Sequence, residues 1–423
     1  MTSPPDATTP AKPGFVLALL VLVYTFNFID RQIVGILAVP IKADLGLSDT
    51  QLGLMGGLAF ALFYTTLGIP VALLADRHSR TWIITISLAL WSLMTAICGL
   101  AQNFWHLFLA RLGVGVGEAG GTAPAYSLIA DYFPPHQRAR ALAIYSFGGP
   151  IGAASGIVFG GVIASMIDWR VAFFIVGLAG VALAPLFRLA VREPVRGRFD
   201  PPPPAGTGHA TLKGVMTLLW RKPSFWALSL MASCFTMMGF ALWFWLPSFF
   251  VRSFDLTLLE ASLAFGGVLL VGGVAGIWLG GWLGDKYGQR NRASYGRLPA
   301  GFALISAPFL ITGVLVDGLA LAAGLLFVPI ALGIAYIGPV AAAIQQLVPP
   351  HMRATASAVF LFINNLIGLG AGAVTLGALS DGLAGLFGAD SLRYAIVAGS
   401  SIYLVAAVLG WASAKRLARD WHS

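Results

Sequence analysis

Long apolar runs of about 20 residues or more alternate with short polar segments along most of this chain. A run of that length is enough for a helix to cross the hydrocarbon core of a bilayer. An outer-membrane barrel would show shorter segments of alternating polarity instead. The pattern therefore predicts an all-α integral membrane protein with twelve spans, numbered 1 to 12, at residues 15–39, 51–74, 81–101, 104–129, 139–165, 170–190, 224–250, 258–282, 297–316, 320–343, 357–380 and 391–414.

Composition supports this prediction. Of the 423 residues, 58% are hydrophobic and 10% are charged, whereas a soluble domain carries about 25% charged residues. The first apolar run contains Asp30 and Arg31, which the core of a cleaved signal peptide would not tolerate, so we interpret it as a retained span. Both cysteines, Cys98 and Cys234, lie inside apolar runs, and we expect no disulfide framework, metal or cofactor.

The polar segments predict five parts along the chain. The longest polar segment contains four consecutive prolines and a glycine-rich stretch, a composition typical of a linker. We expect an N-terminal tail, a six-helix bundle, a cytoplasmic linker, a second six-helix bundle and a C-terminal tail, at residues 1–14, 15–190, 191–223, 224–414 and 415–423.

The basic residues are distributed unevenly between the two sides of these spans. With the N-terminus assigned to the cytoplasm, 20 of the 26 lysines and arginines lie in cytoplasmic segments and 4 lie in outer loops. Such an excess predicts that both termini are cytoplasmic. The basic residues then set the orientation of the chain in a bacterial inner membrane rather than binding nucleic acid. We expect a monomer whose partners are the bilayer, protons and a small amphiphilic or anionic substrate.

Two segments of the chain are repeated. Residues 133–145 and 348–360 are identical at seven of thirteen positions, and residues 72–80 resemble residues 281–289. Each pair is separated by six spans, so both copies lie on the same face of the membrane. The repeat predicts two parallel, pseudo-symmetric halves with a transport site between them near the midplane.

Four ionisable residues lie deep in spans 1 and 4, namely Asp30, Arg31, Arg111 and Glu118. Charges at that depth usually face a cavity or one another and carry function. We interpret Asp30, Arg111 and Glu118 as a proton-coupling set, because protonation of one carboxyl would leave the cluster with a net positive charge for an anion. The alternative is a static ion-pair network that only holds spans 1 and 4 together.

An arginine near the midplane suits a phosphate or carboxylate, since guanidinium presents a planar fork of donors. Other polar side chains inside spans can complete such a site. The predicted substrate-binding residues are Asn27, Asp30, Arg31, Arg111, Glu118, Tyr336, Asn364 and Asn365. Aromatic residues near the outer end of span 7 could line a pocket, but we favour an interfacial belt for Trp243 and Trp245.

The repeated turn after span 2 and after span 8 carries an acidic residue among cations. We expect these residues to pair in one conformation and to separate in another. The predicted gating residues are Asp76, Arg77, Arg80, Arg138 and Asp285.

Residues 72–80 resemble the signature loop of the major facilitator superfamily, with Asp76, Arg77 and Arg80 at matching positions. Within that superfamily, the sequence from Tyr24 to Arg31 is similar to the opening span of the Spinster transporters. The resemblance implies a transporter of lysolipid-like or sphingosine-phosphate-like anions that works by alternating access and is coupled to protons. It also implies that Asp30, Arg111 and Glu118 are coupling and substrate residues.

Two other functions stay open at this level. One is a proton-driven carrier of small organic anions, such as sugar acids or aromatic acids. The other is an integral-membrane enzyme, which would need a nucleophile, a histidine pair or a metal cluster at a membrane face. The sequence offers no such cluster, and we therefore expect no enzymatic activity.

Overall fold

The computed structural model describes residues 12–199, 212–288, 290–349 and 352–421. Most of the predicted N-terminal tail, the last two residues and the proline run of the linker lie outside these ranges. Within them, every regular element is helical. In span order the helices are Pro13–Ile36; Asp49–Gly56 with Leu58–Arg77; Arg80–Cys98; Phe104–Glu118 with Thr122–Tyr132; Pro135–Ser146 with Gly148–Met166; Trp169–Ala190; Pro223–Phe254; Leu258–Gly288; Ser294–Leu315; Leu319–Ala335 with Ile337–Gln346; Arg353–Asn364 with Gly370–Phe387; and Ser391–Gly399 with Ser401–Asp420.

Ten helical stretches of the described chain are long and apolar enough to cross a membrane. One of them, Thr355–Asp420, has 66 residues and turns back at Gly388, where φ is +56°, so it supplies two crossings. Span 4 is broken into helices of 15 and 11 residues, and each is too short to be counted alone. Together these stretches make twelve crossings, and the predicted fold class is confirmed.

Short helices outside the membrane connect some of these crossings. Ala38–Leu45 joins spans 1 and 2 and ends at Gly46, which adopts a left-handed conformation. Leu212–Trp220 precedes span 7. We call the face that holds the ends of spans 2, 4, 6 and 12 the terminal face, and the other the opposite face.

Several spans are interrupted near their middles. Span 4 breaks at Ala119–Gly121, and span 10 breaks at Tyr336. Span 11 contains a five-residue π-helix, Asn365–Leu369. Such π-bulges are frequent at functional sites, and all three irregularities lie beside residues that the sequence singles out.

The two halves touch each other closely on the opposite face. A Cβ atom on Gly53 of span 2 would lie 2.5 Å from the carbonyl oxygen of Ala373 in span 11, so only glycine permits this approach. On the other side of the molecule, Gly161 of span 5 lies against Ser262 of span 8. Toward the terminal face the halves separate around a cavity, and the structure is therefore closed on the opposite face and open on the terminal face.

Candidate functional site

The four deep charges of spans 1 and 4 form one cluster, which we call the charge cluster. Arg31 Nε donates to Glu118 Oε2 over 2.8 Å. The Glu118 side chain is fully buried, and the Arg31 side chain is 9% exposed. The ion pair therefore joins span 1 to the middle of the membrane-spanning part of span 4, directly before that span breaks.

Arg111 and Asp30 lie beside this pair. Arg111 Nη1 donates to the backbone oxygen of Asp30 over 3.2 Å, rather than to its carboxylate. Both Asp30 carboxylate oxygens are buried and have no hydrogen-bond partner among the described residues. A buried polar group without a partner is uncommon in native structures and needs an explanation. The Asp30 carboxyl lies close to the Thr95 side chain and to the charges of Arg111, Arg31 and Glu118.

Three aromatic rings surround the Arg31 guanidinium. Its carbon Cζ lies 5.1 Å from the ring centre of Phe28, 4.8 Å from that of Phe60 and 4.5 Å from that of Tyr64. Ring faces attract cations most strongly where water is excluded. The rings thus stabilise the Arg31 guanidinium at this depth, where its Nε donates to Glu118.

Sequence reasoning missed this aromatic cage. Phe28 precedes Arg31 by three residues, so helical spacing places both on one side of span 1. Phe60 and Tyr64 are four residues apart on span 2, and their rings stack with centres 5.1 Å apart. The spacing in span 1 is a local signal that was available in the sequence, whereas the approach of span 2 depends on the tertiary fold.

A row of tyrosines extends from the cage. Tyr24 stacks on Tyr145 of span 5 with ring centres 4.5 Å apart, and Tyr126 of span 4 contacts Tyr145 edge-on at 5.6 Å. Tyr126 and Tyr64 also line the cavity between the halves. The row therefore connects the charge cluster to the space in which a substrate would lie.

This open cavity has a volume of about 390 Å³ and lies between spans 2 and 4 of one half and span 11 of the other. It extends from Asp76 at the terminal face to Tyr64 beside the charge cluster. Its walls are mostly apolar, with Ile69, Leu73 and Leu361 among the exposed side chains. An occupant beyond Asp76 would meet mostly apolar walls and, at the inner end, the ring of Tyr64 that lies against Arg31.

The polar residues predicted in spans 10 and 11 form a second cluster in the C-terminal half. The Thr236 hydroxyl lies 2.7 Å from the Tyr336 hydroxyl and donates to Asn364 Oδ1 over 2.9 Å. Phe235 stacks on Tyr336 with ring centres 4.7 Å apart. Asn365, the first residue of the π-helix, faces the open cavity. This half contributes neutral hydrogen-bonding groups and no charge to the site.

The aromatic belt predicted for span 7 is wrong for Trp245. Its side chain is fully buried, and its indole Nε1–H donates to the carbonyl oxygen of Ala373 over 2.8 Å. Trp243 is half-buried and, with Phe240, lines a small pocket of about 80 Å³ between spans 7 and 10. Span 7 runs to Phe254, four residues beyond its predicted end, so Trp245 lies nine residues before the end of the helix rather than at its rim.

Arg80 is fully buried at the terminal face and pairs with two carboxylates. Its Nη1 forms a short contact with Asp131 at the end of span 4, and its Nε donates to Glu193 Oε1 over 2.6 Å. Burial alone would raise the pKa of Glu193, but hydrogen bonds from the Thr81 N–H and from Arg80 hold that pKa below its ordinary value. These contacts attach the first residues after span 6 to the ends of spans 3 and 4.

The other predicted gating residues have different surroundings. Asp76 is exposed at the mouth of the open cavity, and its backbone oxygen accepts from Arg196 Nη1 over 2.6 Å. Arg138 Nε donates to the carbonyl oxygens of Ala130 and Phe133. Asp285 and Arg77 are exposed. The gating assignment concerns a change of conformation, so it stays a prediction.

A network on the opposite face joins the two halves and was not predicted. Asp49, at the start of span 2, accepts from Arg252 of span 7 over 2.7 and 2.8 Å and from Lys42 over 2.6 Å. Ser380 of span 11 donates to the same carboxylate over 2.7 Å. We call this set, together with Asp381, the Asp49 network.

Asp381 completes the network from the C-terminal half. Its carboxylate accepts from the backbone N–H groups of Asp49 and Thr50 over 3.0 and 2.8 Å, so it caps the start of span 2. The N-terminus of a helix attracts an anion through its free N–H groups and its dipole. The one sequence signal was an aspartate, Asp381, at the outer end of an otherwise apolar run.

Comparison with known proteins identifies the fold and the family. A family model described as Major Facilitator Superfamily matches residues 20–373. The chain is 32% identical to a bacterial homologue of the human lysosomal transporter Spinster, whose crystal structure in an inward-facing and unoccupied conformation superposes over 100% of both chains with a TM-score of 0.91. The chain belongs to the Spinster-type transporters of the major facilitator superfamily.

This Spinster-type transporter is also similar to curated proteins. It is 34% identical to an MFS-type efflux pump of Mycolicibacterium smegmatis over 98% of this chain and 96% of the relative. It is 29% identical to human Protein spinster homolog 1 over 89% of this chain and 74% of the relative. The family assignment makes the chain a multi-pass membrane transporter rather than an enzyme, as the sequence predicted.

The Spinster-type transporter lies closer in shape to the unoccupied structure than to the occupied one. The occupied inward-facing form of the bacterial homologue superposes with a TM-score of 0.86 at the same 32% identity. The open cavity on the terminal face and the Asp49 network on the opposite face agree with an inward-facing arrangement. Of the predicted site residues, Asn365 lines this open cavity, and Arg31 lies against the ring of Tyr64, which also lines it.

Proposed function

We propose that this Spinster-type transporter moves amphiphilic anionic lipids, of lysolipid or sphingosine-phosphate type, across a bacterial inner membrane by proton-coupled alternating access. The observation that carries the proposal is the buried Arg31–Glu118 ion pair within a cage of aromatic rings, one of which, Tyr64, lines the inner end of the open cavity. Glu118, whose charge a proton can neutralise, occupies the cation, Arg31, that an anionic substrate would bind.

The coupling step is an exchange at Arg31. While Glu118 is ionised, it neutralises Arg31, and the site has little attraction for an anionic head group. When a proton binds Glu118, the charge-assisted hydrogen bond weakens and Arg31 is released. Arg31 Nη2 has no hydrogen-bond partner among the described residues and can donate to a phosphate or carboxylate oxygen. Proton and substrate binding are thereby linked.

Asp30 and Arg111 act beside this exchange. The Asp30 carboxyl, which lacks hydrogen-bond partners, is the second proton-binding group that we propose. Arg111 holds the backbone of Asp30 and supplies a neighbouring positive charge. Asn27 is buried next to Glu118 and can bind the carboxyl when its proton state changes.

The walls of the open cavity favour an amphiphile. Apolar side chains of spans 2 and 11 line the route to Arg31, so an acyl chain can leave water while its head group reaches the cation. On the far wall, we propose that Tyr336, Asn364 and Asn365 bind the polar part of the substrate. A small organic acid would use the same cation but would leave the apolar walls unfilled.

We propose that the terminal face is cytoplasmic, with both termini on that side. The support is the 20-to-4 distribution of basic residues. The open cavity is then accessible from the cytoplasm. We propose that the gating residues form ion pairs when the terminal face closes and separate when it opens. They are Asp76, Arg77, Arg80, Arg138 and Asp285.

The test is flux in proteoliposomes. Labelled lysophospholipid or sphingosine phosphate is supplied with and without an imposed pH gradient, and wild type is compared with Glu118→Gln and Asp30→Asn. We expect gradient-dependent lipid flux in wild type and the loss of that dependence in both variants. Asp44→Asn is the matched control, because it neutralises a carboxylate whose ion pair with Arg170 is solvent-exposed.

Each other outcome has a defined meaning. Gradient-driven uptake of a sugar acid or aromatic acid without lipid flux would replace the lipid with a small organic anion. Lipid flux that keeps its gradient dependence in both variants would reduce the charge cluster to a structural contact between spans 1 and 4.

A further inference from the structure

An apolar furrow runs along the outside of the C-terminal half, away from the open cavity. It lies between spans 9 and 12 and has a volume of about 610 Å³. Leu304 of span 9 forms one wall, and Leu404, Val408 and Trp411 of span 12 form the other. These side chains are 46 to 69% exposed, so they are covered by the surrounding membrane and not by protein.

Small residues create the furrow. Spans 9 and 12 approach closely where Gly410 faces Ala300: a Cβ on Gly410 would lie 2.8 Å from the Cβ of Ala300. At the next residue, Gly301, which is one turn before Leu304 on span 9, an added Cβ would meet nothing within 4 Å. The helix backbones are therefore close together while the larger side chains stand on either side of an unfilled space.

Cations stand at one end of the furrow only. Lys415 and Arg416 line its terminal end, and the Arg297 guanidinium lies 6.0 Å from the ring centre of Trp411. None of the three has an ion-pair partner among the residues that the structure describes. The one nearby acidic side chain on span 12, Asp420, accepts instead from Ser224 N–H and Arg419.

We propose that this furrow is a binding site for one anionic phospholipid of the leaflet at the terminal face. The phosphate would lie among Arg297, Lys415 and Arg416, beside the Trp411 indole, and one acyl chain would fill the furrow. Charge complementarity selects an anionic lipid over a zwitterionic one, because none of the three cations pairs with a carboxylate of the described residues. Basic groups at the membrane surface attract anionic lipids by this means.

The length of the furrow fits a single leaflet. Eleven residues separate Leu404 from Lys415, which corresponds to about 16 Å along a helix. Half of the hydrocarbon core of a bilayer is about 15 Å. The furrow therefore begins near the midplane and ends at the head-group level, where the cations are.

This site is distinct from the transport site. It is formed by spans 9 and 12, whereas the open cavity is formed by spans 2, 4 and 11. A lipid held there stays in the membrane and is not cargo. The proposal stands or fails independently of the transported substrate.

The test is retention of lipid by the purified full-length protein, measured by native mass spectrometry. Phosphatidylglycerol and phosphatidylcholine with the same acyl chains are compared at equal concentration. Lys415→Gln with Arg416→Gln removes two cations, and the matched control Lys213→Gln with Arg221→Gln removes two exposed cations elsewhere on the terminal face. Gly301→Leu keeps the cations and adds a bulky side chain in open space one turn from Leu304, which should obstruct the furrow.

We expect wild type and the control to prefer phosphatidylglycerol. The furrow double variant should bind it roughly 20- to 30-fold more weakly, at about five-fold per cation, and Gly301→Leu should also lose it. Proteoliposome flux should persist in all of them. Equal retention of both lipids, or equal loss in the control, would overturn the proposal.

Two further results would also contradict it. If inorganic phosphate displaces the lipid and Gly301→Leu has no effect, the cations bind a simple anion and the furrow holds no acyl chain. If the furrow variants abolish a dimer instead of a lipid adduct, the occupant is a second copy of this chain.

Discussion

Two buried carboxylates in the N-terminal half have opposite surroundings. Asp49, on the opposite face, accepts hydrogen bonds from Arg252, Lys42 and Ser380, so its carboxylate is fully engaged. Asp30, in the charge cluster, has no partner for either oxygen among the described residues. Both sites place an aspartate beside an arginine, yet the carboxylate of Asp49 is fully hydrogen-bonded and that of Asp30 is not.

The difference indicates how each network is used. A satisfied buried network fixes one arrangement, because every change breaks several hydrogen bonds. A partly satisfied one can change its protonation or accept a ligand at little cost in existing contacts. The Asp49 network is therefore suited to holding one conformation, and the charge cluster is suited to the exchange of proton and substrate that we propose.

The largest expected effect is on the free energy of unfolding, and it differs between the two members of the Arg31–Glu118 pair. Arg31→Gln leaves a fully buried Glu118 without its partner, and breaking a buried pair in this way costs about 3–5 kcal/mol. Glu118→Gln leaves Arg31 in its aromatic cage and should cost less. Denaturant unfolding in detergent measures both, and Arg170→Gln, at an exposed pair, should cost at most about 1 kcal/mol. Equal, small losses in all three variants would contradict the contrast between buried and exposed charges.

A second prediction concerns the closed side. Asp49→Asn removes the charge that holds Arg252 and Lys42, and hydrogen bonds to a charged group are worth about 1.5–3 kcal/mol. The population open on the opposite face should therefore rise about ten-fold or more. Spin labels at Met166→Cys and Leu259→Cys, in a background without native cysteines, report that opening as a longer distance.

The matched control for that opening is Asp44→Asn. It removes a carboxylate on the same face whose partner, Arg170, belongs to the same half. Its distance distribution should match that of wild type. An unchanged distribution in Asp49→Asn would mean that glycine-mediated packing alone, as between Gly53 and Ala373, keeps this face closed.

The smallest effect is expected at the terminal face, where Glu193 pairs with Arg80 within one half. The folded-state pKa of Glu193 is held below its ordinary value of 4.5, so its stabilisation is present above that pH and is lost as pH falls through the folded pKa. Glu193→Gln should reduce stability by about 1 kcal/mol or less at neutral pH. The gap between variant and wild type should narrow in melting curves recorded below pH 4.5. A gap that is constant with pH would assign the effect to packing.

Much of the fold could be predicted from the sequence because hydrophobic length and cation distribution act span by span. The four charges of spans 1 and 4 were also identifiable, since ionisable residues are rare at that depth. What could not be predicted depends on which helices meet. Asp49 and Asp381 are 332 residues apart, and nothing local links them.

The aromatic residues illustrate the same limit. A tryptophan near the end of a span, such as Trp245, is typical of an interfacial belt. The packing of span 7 against span 11 buries it instead. Phe60 and Tyr64 have ordinary helical spacing, and only the tertiary fold shows that their rings contact the Arg31 guanidinium. Sequence reasoning located charge and missed the surfaces that enclose it.

The balance of charges in the cluster has a consequence for the membrane potential. Two carboxylates and two guanidinium groups sum to zero when the site is empty. On the proposed cycle, one bound proton and one monovalent anion again sum to zero. Moving one elementary charge through 100 mV costs about 2.3 kcal/mol, and neither form of the site would carry that charge. Transport of a monovalent substrate should then follow the pH gradient and ignore voltage, while a divalent phosphate ester would make the cycle electrogenic.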